Sequence, residues 1–82
     1  MNPKRVDGLD INPAEDGFIV YQPELDRVHF MNATAVLILE LCNGKNSEQE
    51  IVDLIREEAG LEDPAEVVKE TLTKMKTEGL LT

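Results

Sequence analysis

The sequence is poor in the side chains that build reactive or metal-bound centres. It contains one cysteine and one histidine among 82 residues. A single cysteine excludes an internal disulfide, and one cysteine with one histidine gives no cluster with metal-ligand spacing. No serine or cysteine can be placed beside the lone histidine as a nucleophile with its base. We therefore expect no metal and no cofactor, and a small hydrolase or transferase is the weakest hypothesis for function.

Basic residues are also scarce, since 8 Lys and Arg stand against 17 Asp and Glu, a net charge of −9. Nucleic-acid binders usually present a basic face. The balance argues against DNA, RNA and anionic membranes as main partners. No apolar run approaches the roughly 20 residues of a membrane span, and residues 1–5 lack the apolar segment of a secretory signal. These features favour a cytoplasmic protein with a peptide or protein partner.

The sequence does contain enough apolar residues to fold. Hydrophobic residues make up 41% and charged residues 30% of the chain, a composition typical of globular rather than disordered proteins. The length fits one domain over residues 1–82 with a modest core. We expect residues 1–5 to form a loose end.

The first half alternates between short β-rich segments and turn residues. Residues 9–11, 18–21 and 27–31 have the composition or alternation of strands. Residues 12–17 and 23–26 carry the proline, Asp and Gly typical of turns. The spacing predicts a small antiparallel meander of three strands.

The run from His29 to Gly44 is the most informative segment, because it combines a strand, a cap, an apolar helix and a stop. Asn32 is a good N-cap, since its side chain can accept a hydrogen bond from the first helical turn. We expect a helix over residues 33–43, ended by Gly44 in the left-handed conformation. The third strand leads directly into this helix.

This first helix is apolar on nearly all sides, which favours a central position in the fold. We expect Ala35, Ile38 and Cys42 to anchor the core, with Cys42 as a small buried hydrophobic side chain. The alternative is an exposed patch around Val36 or Leu37 that a partner protein or a second copy, in a homodimer, would cover.

Two further helices follow. Ser47 and Glu50 form a capping box ahead of an apolar pattern with helical spacing. Asp63 is placed to cap a third helix with Pro64 in its first turn, and Gly79 ends that helix. The element order β-β-β-α-α-α predicts an α+β, winged-helix-like fold, a three-stranded antiparallel sheet followed by three helices. A winged-helix transcriptional regulator that binds DNA is the alternative function, although the charge predicts no DNA binding.

The ordered set of caps and stops resembles the PqqD-like proteins, also called RiPP recognition elements. The resemblance lies in Phe30-Met31-Asn32-Ala33-Thr34-Ala35, in residues 38–44 followed by the capped helix 47–55, and in the closing segment 72–81. It covers roughly residues 17–81. Each part is an ordinary cap or stop, and the order and spacing carry the likeness.

The resemblance implies a non-catalytic peptide chaperone. Such domains bind the leader of a ribosomally made precursor peptide as an added strand, in a groove against the third helix. They present it to a modifying enzyme, often a radical SAM protein, in the biosynthesis of pyrroloquinoline quinone (PQQ) or another peptide product. Asn43, Val67 and Thr71 depart from the residues frequent in the family, two acids and a larger apolar residue respectively.

The third strand is the candidate edge for such a peptide, because an edge strand offers unpaired N–H and C=O groups. The alternative is a strand that is paired on both sides. On the third helix we expect Val68, Leu72 and Met75 in the core, beside a stripe that forms either a groove wall or an ordinary boundary. The candidate peptide-binding residues are Arg27, Val28, His29, Phe30, Met31, Val67, Thr71 and Lys74.

Overall fold

The computed structural model describes residues 2–82, and it confirms the predicted α+β class with a sheet followed by helices. Met1, part of the predicted loose end, lies outside the described residues. A short 3-10 turn at Pro23–Leu25 separates the second and third strands. The elements are β1 (Asp10–Ala14), β2 (Gly17–Gln22), β3 (Arg27–Met31), α1 (Ala33–Leu41), α2 (Glu48–Ala59) and α3 (Pro64–Thr77).

The sheet is an antiparallel meander in the order β1-β2-β3. Its first strand is longer than predicted, since it continues through Pro13 to Ala14 and leaves only Glu15 and Asp16 in the turn. Pro13 pairs opposite Phe18. A proline is tolerated there because an edge strand can turn the position that lacks N–H away from the sheet. The proline therefore marks a strand edge and not a turn.

Gly17, which opens β2, brings the β1–β2 turn against the end of β3. Its φ angle is 151°, and a Cβ at this position would lie 2.5 Å from the carbonyl oxygen of Met31. Only glycine allows this approach without movement of the backbone. The turn and the last residue of β3 are therefore held in one position.

Helix α1 is central, as its composition predicts. Asn32 caps it, with Oδ1 accepting a hydrogen bond from the N–H of Ala35 at 2.8 Å. Ile38 and Cys42 are buried as expected, but Ala35 is only partly buried. Val36, offered as part of an exposed patch, is buried instead. The core comprises Val20, Val36, Ile38, Leu39, Cys42, Ile51, Val52, Ile55, Val68, Leu72, Met75 and Leu80.

The helix ends two residues earlier than predicted, with Cys42 as its C-cap. Gly44 does have a left-handed φ of 82°. Its N–H donates to the carbonyl oxygen of Pro3 at 3.0 Å, so the glycine turns the chain toward the N-terminal segment. The end of α1 at Cys42 and the left-handed turn at Gly44 are therefore separate features.

The N-terminal segment differs from the predicted loose end. The N–H of Arg5 donates to the carbonyl oxygen of Cys42 at 2.8 Å, and the N–H of Thr82 donates to that of Lys4 at 2.7 Å. Arg5 also donates from its side chain to the carbonyl oxygen of Glu40 at 2.9 Å. These partners are far away in sequence, so local composition gave no sign of them.

The second and third helices begin where the caps predict. Ser47 and Glu50 form the complete capping box. Asp63 occupies the N-cap position of α3, although its side chain makes no capping hydrogen bond. Val68, Leu72 and Met75 are buried, as expected for the core stripe. In the part of the chain that the structure describes, no helix has the length and apolar character needed to cross a membrane.

Candidate peptide-binding site

Strand β3 has a free edge. Within residues 2–82 it pairs only with β2, which excludes the alternative of a strand paired on both sides. β3 is the last strand of the sheet, and no further strand in residues 2–82 pairs with its open side. A row of backbone donors and acceptors is therefore available there.

The hairpin register identifies which backbone groups face outward. Ala14 and Gly17 close a two-residue turn, so they form a hydrogen-bonded pair, and such pairs alternate along antiparallel strands. This alternation places the backbone bonds between β2 and β3 at His29 and at the residues two positions away. The N–H and C=O groups of Val28 and Phe30 consequently point away from the sheet.

The side chains of these two residues lie on the face of the sheet that the helices leave uncovered. Phe30 is 76% exposed and Val28 is 59% exposed. They stand opposite Ile19 and Tyr21 on β2, which are partly buried. We call these four residues the outer sheet face. An exposed apolar group of this kind on an acidic chain is typical of an interaction surface.

The other side of β3 borders a cleft against α3, with a volume of about 390 Å³. We call it the β3–α3 cleft. Residues from the strand form one wall and residues from the last turns of the helix form the other, with α1 at the end. The lining residues are Val28, His29, Phe30, Met31, Asn32, Ala35, Thr71, Lys74, Met75 and Glu78.

His29 connects the two walls of the cleft. Its ring is buried, with Nδ1 2.7 Å from Oε2 of Glu78 and Nε2 3.1 Å from Oε1 of Gln22. Gln22 in turn donates from Nε2 to the carbonyl oxygen of Gly79 at 2.9 Å. The histidine thus bridges the sheet and the end of α3.

Lys74 gives the cleft a positive charge. The ion pairs of residues 2–82 are His29–Glu78 and Arg56–Asp53. Lys74 is exposed, and Glu78 beside it is engaged by the histidine. The ammonium group therefore has no carboxylate within ion-pair distance in the described chain. A negatively charged ligand group would find a partner there.

The structure brings together most of the predicted site residues. Arg27 and Val67 are exposed but lie outside the cleft lining. The sequence interpretation missed Gln22, because nothing in its local pattern marks a glutamine that hydrogen-bonds a histidine seven residues later. The predicted residues that line the cleft are Val28, His29, Phe30, Met31, Thr71 and Lys74.

The fold changes the acidity of Tyr21 and Cys42. A hydrogen bond to Asp26, with the charge of that carboxylate, raises the pKa of Tyr21. Burial raises the pKa of the Cys42 thiol to about 11, and Arg5 opposes that rise. A protonated, buried thiol is a poor nucleophile. Among residues 2–82, no group of three or more His, Cys, Asp and Glu side chains is arranged to hold a metal.

Comparison with known proteins places this arrangement in context. The family described as "Coenzyme PQQ synthesis protein D (PqqD)" matches residues 17–81. This match confirms the resemblance inferred from the caps and stops. The search of curated proteins found no match.

A solved structure, described as "Lasso peptide synthetase B1 complexed with the leader peptide", superposes with a TM-score of 0.78 at 15% identity. The alignment covers 100% of this chain and 99% of that one. At this identity the likeness shows the shared fold, and it agrees with the predicted sheet followed by three helices.

Proposed function

The chain belongs to the PqqD family, and on that premise we propose that it is a non-catalytic peptide chaperone. It binds the leader of a ribosomally made precursor peptide and presents that peptide to a modifying enzyme. The observation that carries the proposal is the free edge of β3 beside the β3–α3 cleft. The binding domain comprises residues 1–82.

The leader adds to the sheet as a strand beside β3. Its backbone bonds the outward N–H and C=O groups of Val28 and Phe30, because these groups have no partner in the sheet. Alternate side chains of an added strand point to opposite faces. One set enters the β3–α3 cleft and the other extends the outer sheet face.

The cleft favours particular side chains of the leader. Lys74 attracts a carboxylate, while Thr71 and Met75 give a mixed polar and apolar wall. Val67 lies one turn before Thr71 on α3 and contacts a leader that continues along the helix. Arg27 begins β3 and contacts the same leader at its other end.

Leader peptides are the ligand class that the structural relative supports, since it is described as complexed with one. We further propose that the modifying enzyme is of a class such as the radical SAM proteins. The product would be PQQ or another modified peptide. A cytoplasmic location is proposed with them. A second copy of the chain is a competing occupant of the β3 edge, as a homodimer.

The proposal is tested with a synthetic peptide that covers the leader of the precursor encoded beside this gene. In a titration followed by ¹H–¹⁵N NMR, we expect amide shifts at residues 28–31 and 67–74. A scrambled peptide of the same composition is the control. Shifts confined to other residues, or none at high peptide concentration, would overturn the proposal.

Two additional measurements separate the alternatives. A homodimer through β3 would shift the same amides on concentrating the protein without peptide. A DNA duplex at low salt tests the transcriptional regulator, and the charge of −9 predicts no binding.

A further inference from the structure

The geometry points to His29 as a positioning residue: its doubly protonated ring ties β3 to the end of α3 and sets the width of the β3–α3 cleft. This inference rests on the proposed function, because it assigns the ring a part in holding the leader site. The ring itself is buried and engaged on both nitrogens. It therefore acts through the walls of the cleft.

The orientation of the Gln22 amide determines whether Nε2 of His29 donates or accepts a hydrogen bond. Its amide lies between the ring and the carbonyl oxygen of Gly79. A carbonyl oxygen only accepts hydrogen bonds, so the group that faces it must carry an N–H. The NH₂ group must face Gly79, so Oε1 faces the ring at 3.1 Å from Nε2. Two facing oxygens at Gly79 would otherwise repel. Nε2 must therefore carry a proton.

Glu78 requires that Nδ1 of His29 also carries a proton. Its carboxylate oxygen lies 2.7 Å from Nδ1 and accepts a hydrogen bond from an N–H at that nitrogen. A neutral imidazole carries one N–H, whereas the protonated ring carries two. Only the protonated ring satisfies Gln22 and Glu78 together. We call Gln22, His29 and Glu78 the clamp. When the ring is neutral, a nitrogen lone pair faces an oxygen, and one connection of the clamp is lost.

The clamp joins three parts of the chain that form the site. Gln22 belongs to β2, His29 to the core-facing side of β3, and Glu78 caps α3 at its C-terminus. Because Val28 and Phe30 flank the histidine, the outward backbone groups are held at a fixed distance from the helix. A leader between strand and helix meets preset walls, which lowers the free energy spent on ordering them.

The groups around the ring come from four elements of the fold. Glu78 faces it directly, and Lys74 lies one turn earlier on α3 in the same cleft. Gln22 from β2 and Ala35 from α1 are uncharged, and Arg27, two residues earlier on β3, is exposed. The clamp is complete while the ring carries both protons, and one of its two connections is lost when the ring gives up a proton. Leader affinity should fall with it as pH rises.

The first test needs no peptide. His29 is the only histidine, so its ring nitrogens can be followed in long-range ¹H–¹⁵N spectra without ambiguity. While the clamp is complete, we expect two protonated ring nitrogens, with a slowly exchanging Nδ1–H bonded to Glu78. Glu78→Gln should lose that slow exchange, while Glu70→Gln, the same charge change on the exposed side of α3, should keep it. A ring with one protonated nitrogen throughout pH 5–9 would overturn the clamp.

The second test measures affinity of the neighbouring-gene leader peptide by calorimetry between pH 5 and 9. We expect affinity to fall roughly tenfold when the ring loses its second proton, the effect of one charged hydrogen bond. His29→Gln and Glu78→Gln should each remove this dependence, and Glu70→Gln should preserve it. Thermal unfolding verifies that each variant folds. If His29→Gln does not fold, Glu78→Gln alone is enough to test the pH dependence.

The outcomes separate the two proposals. Constant affinity despite the loss of a ring proton, seen in the ring spectra, would overturn the positioning role and leave the peptide-binding function standing. An intact clamp in the ring spectra, with no leader binding at any pH, would overturn the peptide-binding function and with it the positioning role.

Discussion

The sheet has two free edges, and only one of them is suited to a guest strand. On β1 the residues whose backbone groups face outward are Ile11 and Pro13, by the same alternation that turns Val28 and Phe30 outward on β3. Pro13 has no N–H, so β1 offers one outward donor and β3 offers two. β3 also borders the cleft against α3, and no residue of β1 contributes to the lining of that cleft.

The comparison teaches that a single proline can decide where a small sheet accepts a partner. Natural sheets protect their edges against unwanted pairing with prolines and charges. Here the protected edge carries Asp10 and Pro13, and the unprotected edge carries apolar Val28 and Phe30. The contrast can be tested by making the two edges more alike.

The largest effect is expected where the β1–β2 turn meets the end of β3. Gly17→Ala forces a Cβ to within 2.5 Å of the carbonyl oxygen of Met31 at a positive φ. We expect a loss of about 3 kcal/mol in the free energy of unfolding, measured in urea. Gly8→Ala is the control, because its φ is also positive at 80° but no atom lies within 4 Å. It should lose about 1 kcal/mol; equal losses would contradict the close approach.

The next effect closes the β3 edge in the way that proline closes β1. Phe30→Pro removes the outward N–H and leaves the hydrogen bonds to β2 intact. We expect it to bind the leader about tenfold more weakly than Phe30→Ala, which loses the same ring but keeps the N–H. Calorimetry on both variants measures the difference. Equal affinities would mean that the guest does not bond the backbone of Phe30.

A smaller effect is expected from opening the β1 edge. Pro13→Thr restores the outward N–H, and its stability should stay within about 0.5 kcal/mol of the parent protein. In an NMR titration with excess leader, weak additional shifts should arise at residues 10–14, while the main shifts remain on β3. Shifts of equal size on both edges would show that the helix wall contributes little.

The smallest effect is a check that edge substitutions leave the core unchanged. Burial raises the pKa of Cys42 to about 11. We expect no reaction with a thiol reagent at pH 8 in the parent protein, Phe30→Pro or Pro13→Thr, and rapid reaction in denaturant. Reaction of a folded edge variant would indicate that its core has opened.

The raised pKa also predicts how the core responds to alkali. The thiol ionises near pH 9.0 when unfolded and near pH 11 when folded. Its contribution to stability is therefore complete below about pH 9 and falls as pH rises through 11. Unfolding curves of the parent and Cys42→Ala at pH 8 and 10.5 measure this. The difference between the two proteins should be smaller at the higher pH.

Local signals in the sequence were reliable and distant ones were absent. Asn32 and the Ser47–Glu50 box start their helices as predicted, because each cap bonds residues three positions away. Pro13 was misinterpreted as a turn residue, since its place at a sheet edge depends on pairing with β2. The free edge of β3 became certain only from the strand order.

Some parts of the candidate site could be predicted from the sequence, and others could not. The edge residues and the α3 stripe follow from periodicity and from the family resemblance. The clamp does not, because His29 and Glu78 are 49 residues apart and Gln22 has no distinguishing neighbours. Ala35 lines the cleft, contrary to the predicted core position, because the apolar character of α1 hides which side faces the groove.

The N-terminal segment places Lys4 and Thr82 side by side, joined by two hydrogen bonds to the carbonyl oxygen of Lys4 at 2.7 and 3.3 Å. The path of the backbone from residue 4 to residue 82 is thus nearly a closed ring. A short linker between these residues, with new termini cut between α2 and α3 near Glu62, would give a circular permutant. Its β3 edge and cleft would keep their native connections, and a reporter domain attached at the new termini would stand apart from the guest strand.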